Sequence, residues 1–294
     1  SMASIIETQE TAEEVRLRLL AVKQETGRTW KALAQSAGIP EGTLSSFGSS
    51  NYQGDILRVA SEVRRFLDGR ANLALLKPGA VKDPGFLLTQ TAREITTLLQ
   101  WAQTGEVVAI AAGPGTGKTR TLLEYAENYP NVWLATMSPS TSGVQPMQLS
   151  VLEAMGTTEA KGSPQQLSAR ILAKARDSGG LIAIDEAQEL SEKSLDEVRS
   201  WHDKTGIGIA LVGDERVIGR LGGIRRAELG RLHSRISMRI TQAHPKPDDA
   251  AVIIHGWGVK EPAQVKFLAG LATKPGGLRG IAKTIKLAGL MAAG

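Results

Sequence analysis

Residues 111–121 read AAGPGTGKTRT, and this stretch decides the fold. An apolar run, EVVAIAA (106–112), precedes it, and a helical pattern, RTLLEYAENY (120–129), follows it. A strand, a glycine-rich loop and a helix in this order are the context in which a phosphate-binding loop works. The glycines let backbone N–H groups turn inward around an anion, and the helix adds its positive end. The stretch therefore predicts a loop that binds the phosphates of a nucleotide.

The loop pattern also predicts a role for single residues. Lys118 can reach the β- and γ-phosphates, and the Thr119 hydroxyl is placed to bind Mg²⁺. The strict pattern G-x-x-x-x-G-K-[ST] has glycine where this chain has Ala112. Alanine is the least costly replacement if φ there is not strongly positive. We predict that ATP is bound by Ala112, Gly113, Pro114, Gly115, Thr116, Gly117, Lys118 and Thr119.

A second motif, LIAIDEAQ (181–188), supplies two acids. Its four apolar residues predict a buried strand, so Asp185 and Glu186 emerge at the carboxyl end, where α/β sheets bind their ligands. We expect Asp185 to bind the Mg²⁺ together with Thr119. Glu186 can orient and deprotonate the attacking water. With the phosphate loop, this motif predicts hydrolysis of ATP.

Polar residues further along the chain can complete such a site. Asp214 ends the apolar run GIALVG (208–213) and is a candidate sensor that helps to place the water. Arg279 follows two glycines at a helix start and can fold over the nucleotide. An arginine presented to a neighbouring subunit can act as a finger in trans, and we choose Arg231 first and Arg235 second. The segment 225–240 carries five candidates for this role, Arg225, Arg226, Arg231, Arg235 and Arg239.

The N-terminal segment, residues 1–69, has the pattern of an all-helical domain with a helix–turn–helix. In TWKALAQSAGIPEGTLSSF, Thr29 can cap the first helix and Gly38 can end it. The second helix carries the candidate DNA contacts Thr43, Ser45 and Ser46, because a DNA-reading motif places its groove contacts there. A small helical protein-docking module that never touches DNA is the alternative.

The rest of the chain divides into three parts. Residues 70–85 contain prolines and glycines without periodicity, which predicts a linker. Residues 86–245 alternate helical patterns with the short apolar runs EVVAIAA, NVWLATM, LIAID and GIALVG. These runs predict an α/β core with a mostly parallel sheet that is buried on both faces. Residues 246–294 are helical again and predict a small C-terminal helical subdomain.

Composition limits the class of protein and of partner. The chain has no cysteine, which excludes disulfides and cysteine-ligated zinc. No apolar run approaches the ~20 residues that span a bilayer, and the polar, acidic first residues are unlike a signal peptide, so we expect a cytoplasmic protein without a membrane partner. The net charge is +5, and from residue 250 onward six lysines and arginines face a single acid, Glu261. A basic C-terminal third is typical of a surface that binds a polyanion, although a solvated, ion-paired face would look the same.

The order of these motifs resembles that of the AAA+ ATPases, and more narrowly that of the transposition ATPases of the phage Mu type. The resemblance covers almost the whole chain and is carried by GTLSSF, NYQGD, FLLTQTAREI, GPGTGKT, NVWLATMSPS, LIAIDEAQEL, TGIGIALVGD, GRLHSRI and KPGGLRGIAKTIKLA. It implies an AAA+ core with a parallel sheet between the two helical ends.

The resemblance also implies a function and partners. Such proteins bind double-stranded DNA without sequence preference when ATP is present and assemble on it as helical filaments. They deliver this target DNA to a transposase, stimulate strand transfer and disassemble on hydrolysis. The nucleotide would then lie between subunits, with Arg231 or Arg235 reaching across. In this chain TTEAKGSPQQ (157–166) corresponds to a DNA-contacting loop that is richer in basic residues in the family, and here only Lys161 remains. Asp214 replaces an uncharged polar sensor.

Other functions fit the same motifs. An initiator-like helicase loader would need a replicative helicase as its partner. In a transcription regulator the helix–turn–helix would read an operator and the ATPase would be a switch. A membrane-linked ATPase of related sequence would need a spanning segment. Footprinting separates a filament, which protects an extended periodic region, from a regulator, which protects one short site.

Overall fold

The computed structural model describes residues 10–75, 81–221 and 227–292. The chain forms two compact units. One contains the four N-terminal helices, and the other comprises residues 81–288.

The N-terminal unit is helical, as the sequence predicts. Its elements are α1 (Ala12–Thr26), α2 (Trp30–Ala37), α3 (Glu41–Gly48) and α4 (Ile56–Leu75). Leu19, Leu33, Leu44 and Val63 belong to one buried apolar cluster that joins all four helices.

The turn between α2 and α3 has the predicted local chemistry. The Thr29 hydroxyl accepts a hydrogen bond from the Ala32 N–H at 3.2 Å and caps α2. Gly38 has φ 68° and ends that helix in the left-handed conformation, in which glycine avoids the steric cost of a side chain. Both predictions for this turn are confirmed.

The second unit alternates helices and strands. Its elements are α5 (Gln90–Gln103), β1 (Val107–Ala112), α6 (Lys118–Asn128), β2 (Val132–Thr136), α7 (Val144–Ala154), α8 (Pro164–Ala175), β3 (Leu181–Asp185), α9 (Glu192–Thr205), β4 (Gly208–Gly213), α10 (Arg216–Leu221), α11 (Ala227–His233), β5 (Ile236–Gln242), α12 (Pro247–Gly256), α13 (Pro262–Gly270) and α14 (Gly277–Ala292).

The five strands form one parallel sheet in the order β2-β3-β4-β1-β5. In the middle of the sheet, Ala210 of β4 is opposite Ala183 of β3 on one side and Val108 of β1 on the other. Since all strands run the same way, the carboxyl ends of β1, β3 and β4 lie together at one edge. The predicted α/β class and parallel sheet are confirmed.

Helices cover both faces of this sheet. On one face α7, α8 and α9 contribute Val151, Ile171 and the fully buried Trp201. On the other face α5 and α6 contribute Leu99 and Leu122. The strands β1, β3 and β4 are therefore buried on both faces, which explains their uninterrupted apolar sequences.

The fifth strand was not predicted. Segment 225–240 has the pattern of an arginine-bearing stretch, but Ile236–Gln242 pairs with β1 as an edge strand. Ser237, Met238 and Arg239 are exposed, so the strand lacks the apolar run by which the other four were identified.

The predicted linker begins too early. Helix α4 continues through Leu75, so residues 70–75 are helical. Their sequence, RANLAL, consists mainly of good helix formers, and the first proline comes only at position 78.

Three helices follow the last strand, as predicted. Helices α12, α13 and α14 pack around Ile254, Leu268, Leu278 and Ile281. Among the residues that the structure describes, no helix combines the length and the apolar character needed to cross a membrane.

Candidate nucleotide-binding site

The phosphate loop joins β1 to α6 at the carboxyl edge of the sheet. Gly115 and Gly117 have φ of 74° and 90°, the left-handed region that favours glycine. A Cβ on Gly115 would lie 2.2 Å from the Gly276 carbonyl oxygen, so this position also needs a glycine for space. The Leu278 N–H donates to the Gly115 carbonyl oxygen at 2.8 Å. The turn before α14 is therefore fixed directly against the loop.

The alanine that departs from the strict pattern is accommodated. Ala112 is the last residue of β1, is buried, and has no positive φ. The close backbone approach occurs one residue later, where a Cβ on Gly113 would lie 1.8 Å from the Ala243 carbonyl oxygen. The Gly113 N–H donates to the Gln242 carbonyl oxygen at 2.8 Å. The condition set for an alanine at position 112 is thus met.

Lys118 begins α6 and is only 9% exposed. Its Nζ lies 3.5 Å from the Gly113 carbonyl oxygen, to which the Thr116 hydroxyl also donates at 2.9 Å. A phosphate oxygen is a stronger acceptor for an ammonium group than a backbone carbonyl. The lysine is therefore already placed beside the loop, in a contact that an anion can replace.

The two predicted magnesium ligands are in contact. The Thr119 hydroxyl donates to Asp185 Oδ2 at 2.7 Å, and Asp185 is 1% exposed. Burial raises the pKa of the Asp185 carboxyl above its ordinary value, while the hydrogen bonds from Thr119 and from the Glu186 N–H oppose this rise. A hydroxyl and a carboxylate are oxygen ligands of the kind that Mg²⁺ prefers. The pair fits a magnesium ion, whose charge would favour the ionised carboxylate.

Glu186 follows at the end of β3 with a left-handed backbone, φ 54° and ψ 39°. Its N–H donates to Asp185 Oδ1 at 2.9 Å. Gln188 Nε2 donates to Glu186 Oε2 in a short contact. Nothing in the sequence pattern distinguishes Gln188, because only the folded chain shows an amide between two strand ends.

Asp214 lies at the tip of β4, as predicted, but its side chain is engaged. Arg216 Nε and Nη2 donate to its carboxylate at 2.8–3.1 Å, and the Arg216 N–H adds a bond of 2.9 Å. The hydrogen bonds from Arg216 lower the pKa of Asp214. The carboxylate is therefore ionised and paired in this state, and its role as a sensor stays a prediction.

The candidate arginine fingers have different surroundings. Arg235 donates to Asp203 through Nε at 3.0 Å and Nη2 at 3.4 Å. Arg231 on α11 is exposed and makes no ion pair with any residue that the structure describes. Arg239 is exposed on β5, whereas Arg225 and Arg226 lie outside the described residues. Arg231, the first choice, is the one more available to another molecule.

A cavity of about 500 Å³ opens beside the phosphate loop. One side, here called the phosphate wall, is formed by residues 115–121. The apolar part of the lining, here called the apolar wall, consists of Phe86, Leu87, Ile253, Trp257, Leu278 and Ala282. Arg279 also lines the cavity, as its predicted role requires. The apolar wall was missed by the sequence analysis because its residues come from three distant segments.

Two charged residues stand at the rim of the apolar wall. Lys286 Nζ lies 3.1 Å from Asp83 Oδ2 and 5.2 Å from the centre of the Trp257 ring. The pKa of Asp83 is held below its ordinary value. The larger cause is the hydrogen bond from the Gly85 N–H, and the next is the hydrogen bond from the Lys286 ammonium. These contacts join the chain before α5 to helices α12 and α14.

The predicted DNA contacts are distributed over both units. Thr43, Ser45 and Ser46 are half-buried on α3, and the Ser45 hydroxyl donates to the Gly42 carbonyl oxygen at 3.3 Å. Lys161 is exposed on the loop between α7 and α8. Their contact with DNA stays a prediction.

Known proteins resemble this chain in two regions and along most of its length. A sequence profile described as "AAA domain" matches residues 102–221, and one described as "Mu B transposition protein, C terminal" matches residues 234–294. The ATP-dependent target DNA activator B of Escherichia phage Mu is 34% identical over 95% of this chain and 88% of its own length. The Mu-like prophage FluMu DNA transposition protein B of Haemophilus influenzae is 32% identical over 87% of this chain and 90% of its own. Among solved structures, the Aeropyrum pernix ORC2 protein aligns at 15% identity with a TM-score of 0.48, over 66% of this chain and 58% of that one.

Proposed function

The chain belongs to the Mu B family of phage transposition proteins and is an AAA+ ATPase, and from this premise we propose that it activates target DNA for a transposase in an ATP-dependent manner. The observation that carries the proposal is the contact between Thr119 and Asp185 beside a phosphate loop, in a chain that is 34% identical to an ATP-dependent target DNA activator.

The nucleotide would be ATP with Mg²⁺. Backbone N–H groups of the loop and Lys118 would bind the phosphates, and Thr119 and Asp185 would bind the metal. When bound, Mg²⁺ supplies charge that neutralises the phosphate oxygens. The apolar wall would cover the base, and Arg279, which lines the same cavity, would contact the nucleotide.

Glu186 would be the general base of hydrolysis. It is half-buried next to the metal ligand Asp185, and no described residue donates a hydrogen bond to its Oε1. One carboxylate oxygen is thus available to accept a proton from water. Asp214, at the tip of the neighbouring strand, would act as a sensor that helps to place the water only if its pairing with Arg216 changes.

A second subunit would complete the site. Arg231 would reach the nucleotide of a neighbour as a finger in trans. Arg235 can do so only after giving up Asp203, and this makes it the second choice. Nucleotide bound at such a contact stabilises the assembly through linkage, and hydrolysis removes that stabilisation.

The DNA partner would be any duplex. Subunits that each neutralise a few phosphates bind without reading bases, and their affinity falls with salt. The basic C-terminal third and Lys161 provide positive charge for this contact. Thr43, Ser45 and Ser46 on α3 are the proposed contacts in the N-terminal unit. The assembly, a helical filament or a ring, would present this DNA to the transposase and stimulate strand transfer.

The function is tested by binding, footprinting and microscopy on unrelated duplexes with ATP, with a slowly hydrolysed ATP analogue and without nucleotide. We expect extended protection and multi-subunit assemblies only with nucleotide. Two to three phosphate contacts per bound unit predict a loss of affinity of roughly 10- to 40-fold between 50 and 200 mM salt. Monomers on DNA at every ATP concentration would overturn the proposal. One short protected site would indicate a transcription regulator instead, and a stable complex with a replicative helicase would indicate a loader.

Glu186→Gln separates binding from hydrolysis. This variant should lose ATP turnover by roughly 100-fold or more, because general bases contribute about 10²–10⁴-fold, and should form longer-lived assemblies on DNA. Turnover at the wild-type rate would show that Glu186 is not the base.

A further inference from the structure

Gln188 is a buried amide between the ends of two neighbouring strands. It is 5% exposed and lies in the short turn that follows β3. Its Nε2 donates to Glu186 Oε2, and its Oε1 accepts from the Asp214 N–H at 3.4 Å. One side chain therefore connects the candidate base on β3 with the tip of β4.

The surroundings restrain both the backbone of this turn and the Gln188 side chain. Arg220 Nη1 donates to the Gln188 carbonyl oxygen, so α10 restrains the backbone of the turn. The Glu189 N–H donates to the Glu186 carbonyl oxygen at 3.0 Å. A Cβ on Gly213 would lie 2.0 Å from Gln188 Oε1, so the side chain occupies space that only a glycine leaves open. A long polar side chain held in this way has little freedom to adopt another rotamer.

The contact determines what the Glu186 carboxylate can do. The Glu186 backbone is already fixed by its N–H bond to Asp185, so only the side-chain torsions remain free. Gln188 binds one carboxylate oxygen and leaves Oε1 without a donor among the described residues. A general base is effective only when the accepting oxygen points at the proton that it removes. An amide that binds the other oxygen supplies this orientation.

We propose that Gln188 is a positioning residue that orients the Glu186 carboxylate and couples it to the position of the β4 tip. This inference rests on the proposed assignment of Glu186 as the general base. Gln188 Oε1 accepts from the Asp214 N–H, and Gln188 Nε2 donates to Glu186. A displacement of the β4 tip would therefore move the Gln188 amide and, with it, the Glu186 carboxylate. Gln188 itself touches neither the phosphate loop nor the magnesium ligands through any described hydrogen bond.

The test compares two substitutions of similar length in the full chain. Gln188→Met removes the amide, and Gln188→Glu replaces its donor with a charge that repels Glu186. We expect kcat to fall roughly 10- to 100-fold in Gln188→Met, since misplacing a catalytic group by about 1 Å has effects of this size, and further in Gln188→Glu. The KM for ATP and the Kd for ADP should stay within about twofold of wild type, because nothing that binds the nucleotide changes. A residue that only fills space is not expected to change kcat alone. Nor is it expected to make kcat decrease in the order wild type, Gln188→Met, Gln188→Glu.

A second perturbation reaches the same contact without altering Gln188. Gly213→Ala places a methyl group 2.0 Å from Gln188 Oε1 and 2.6 Å from Val217 Cγ2, and it should lower kcat in the same direction. In the Gln188→Met background the same change should have a smaller effect, because the two positions act through one contact. Additive losses would overturn the coupling.

The outcomes separate the two proposals. If Glu186→Gln abolishes turnover while Gln188→Met keeps kcat within about twofold, the positioning role is wrong and the base assignment stands. If kcat and ADP affinity fall together in Gln188→Met and Gly213→Ala, Gln188 is structural. If Glu186→Gln leaves turnover unchanged, the proposed base itself is wrong.

Discussion

The two walls of the nucleotide cavity are built in opposite ways. The phosphate wall is one continuous stretch, and its polar groups are mainly backbone N–H groups and the side chains of Lys118 and Thr119. The apolar wall is assembled from the chain before α5, from α12 with the residue that follows it, and from α14, and its residues are apolar. The first wall depends on local conformation, whereas the second depends on the packing of three segments. Substitutions in the two walls should therefore have different consequences for binding, turnover and stability.

Lys118→Ala should have the largest effect on ATP turnover. It removes a phosphate-binding group from the phosphate wall and leaves the apolar wall unchanged. Removing one charged donor from a site of this kind costs roughly 10²–10³-fold in kcat. The matched control is Lys193→Ala, which removes an exposed lysine of α9. Phosphate release at saturating ATP measures the effect. Wild-type turnover in Lys118→Ala, or a comparable loss in Lys193→Ala, would contradict the role given to the loop.

The second prediction concerns the scaffold behind the apolar wall. Asp249 at the start of α12 is 0% exposed, and its Oδ1 accepts from the Thr91 N–H at 3.0 Å. Its Oδ2 accepts from the Lys246 N–H at 3.0 Å and from the Thr91 hydroxyl. Asp249→Ala leaves the N–H groups of Thr91 and Lys246 without this acceptor, while the Thr91 hydroxyl keeps Gln242 Oε1 at 3.3 Å, so the free energy of unfolding should fall by about 2–3 kcal/mol.

Chemical unfolding of the full chain measures this change. Asp248→Ala is the matched control, because Asp248 is exposed in the same helical turn. It should change stability by less than about 0.5 kcal/mol. Equal effects of the two substitutions would show that the buried network does not hold α12 to α5.

The difference between the walls also explains what could be predicted from the sequence. The motif at 111–121 specifies β1, the loop and α6 within one short stretch, and β2, β3 and β4 are apolar because both faces of the sheet are covered. The edge strand β5 consists of half-buried and exposed residues, among them the exposed Met238 and Arg239, so it has no such signal. Thr119 and Asp185 were both predicted to bind Mg²⁺, because they belong to motifs that meet at the same sheet edge, and the two side chains are in contact.

The remaining features required contacts between distant segments. No local sequence pattern indicates that Phe86 and Trp257 line the same cavity, or that Asp83 pairs with Lys286. Gln188 belongs to the recognised motif LIAIDEAQ, but its role depends on the tip of β4 and on the missing side chain of Gly213. The pairing of Arg235 with Asp203 on α9 was equally invisible, and it distinguishes two arginines that look alike in the sequence.

A cavity-filling substitution sharpens the comparison at the apolar wall. Ala282→Phe adds a ring at a half-buried position of α14 that lines the cavity. We expect ADP to bind roughly tenfold more weakly, because the added ring conflicts sterically with the nucleotide. A tenfold loss of affinity corresponds to about 1.4 kcal/mol of binding free energy. Stability should change little. Ala288→Phe, on the exposed surface of the same helix, is the control and should bind ADP normally. Unchanged affinity in Ala282→Phe, measured by titration, would place the nucleotide outside this part of the cavity.

The smallest effect is expected at the rim of the apolar wall. Lys286 and Asp83 form an ion pair whose side chains are 52% and 59% exposed, so water screens their attraction. Lys286→Met should therefore lower stability by less than about 1 kcal/mol, even though it also removes a cation–π contact with Trp257. The control is Lys283→Met, which removes an exposed lysine from the same helix.

The pH dependence of this small effect has a definite sign. Since the folded-state pKa of Asp83 is lowered, the contribution of its carboxylate is complete above the unfolded-state pKa of about 3.9 and is lost as the pH falls through the lower folded-state value. The difference in unfolding free energy between wild type and Lys286→Met should therefore be constant from pH 7 to about pH 5 and narrow only below about pH 4. A difference that grew on acidification, or one also seen in Lys283→Met, would mean that the rim is stabilised by general charge and not by this pair. The apolar wall would then depend on packing alone, whereas the phosphate wall depends on the local conformation of one continuous stretch.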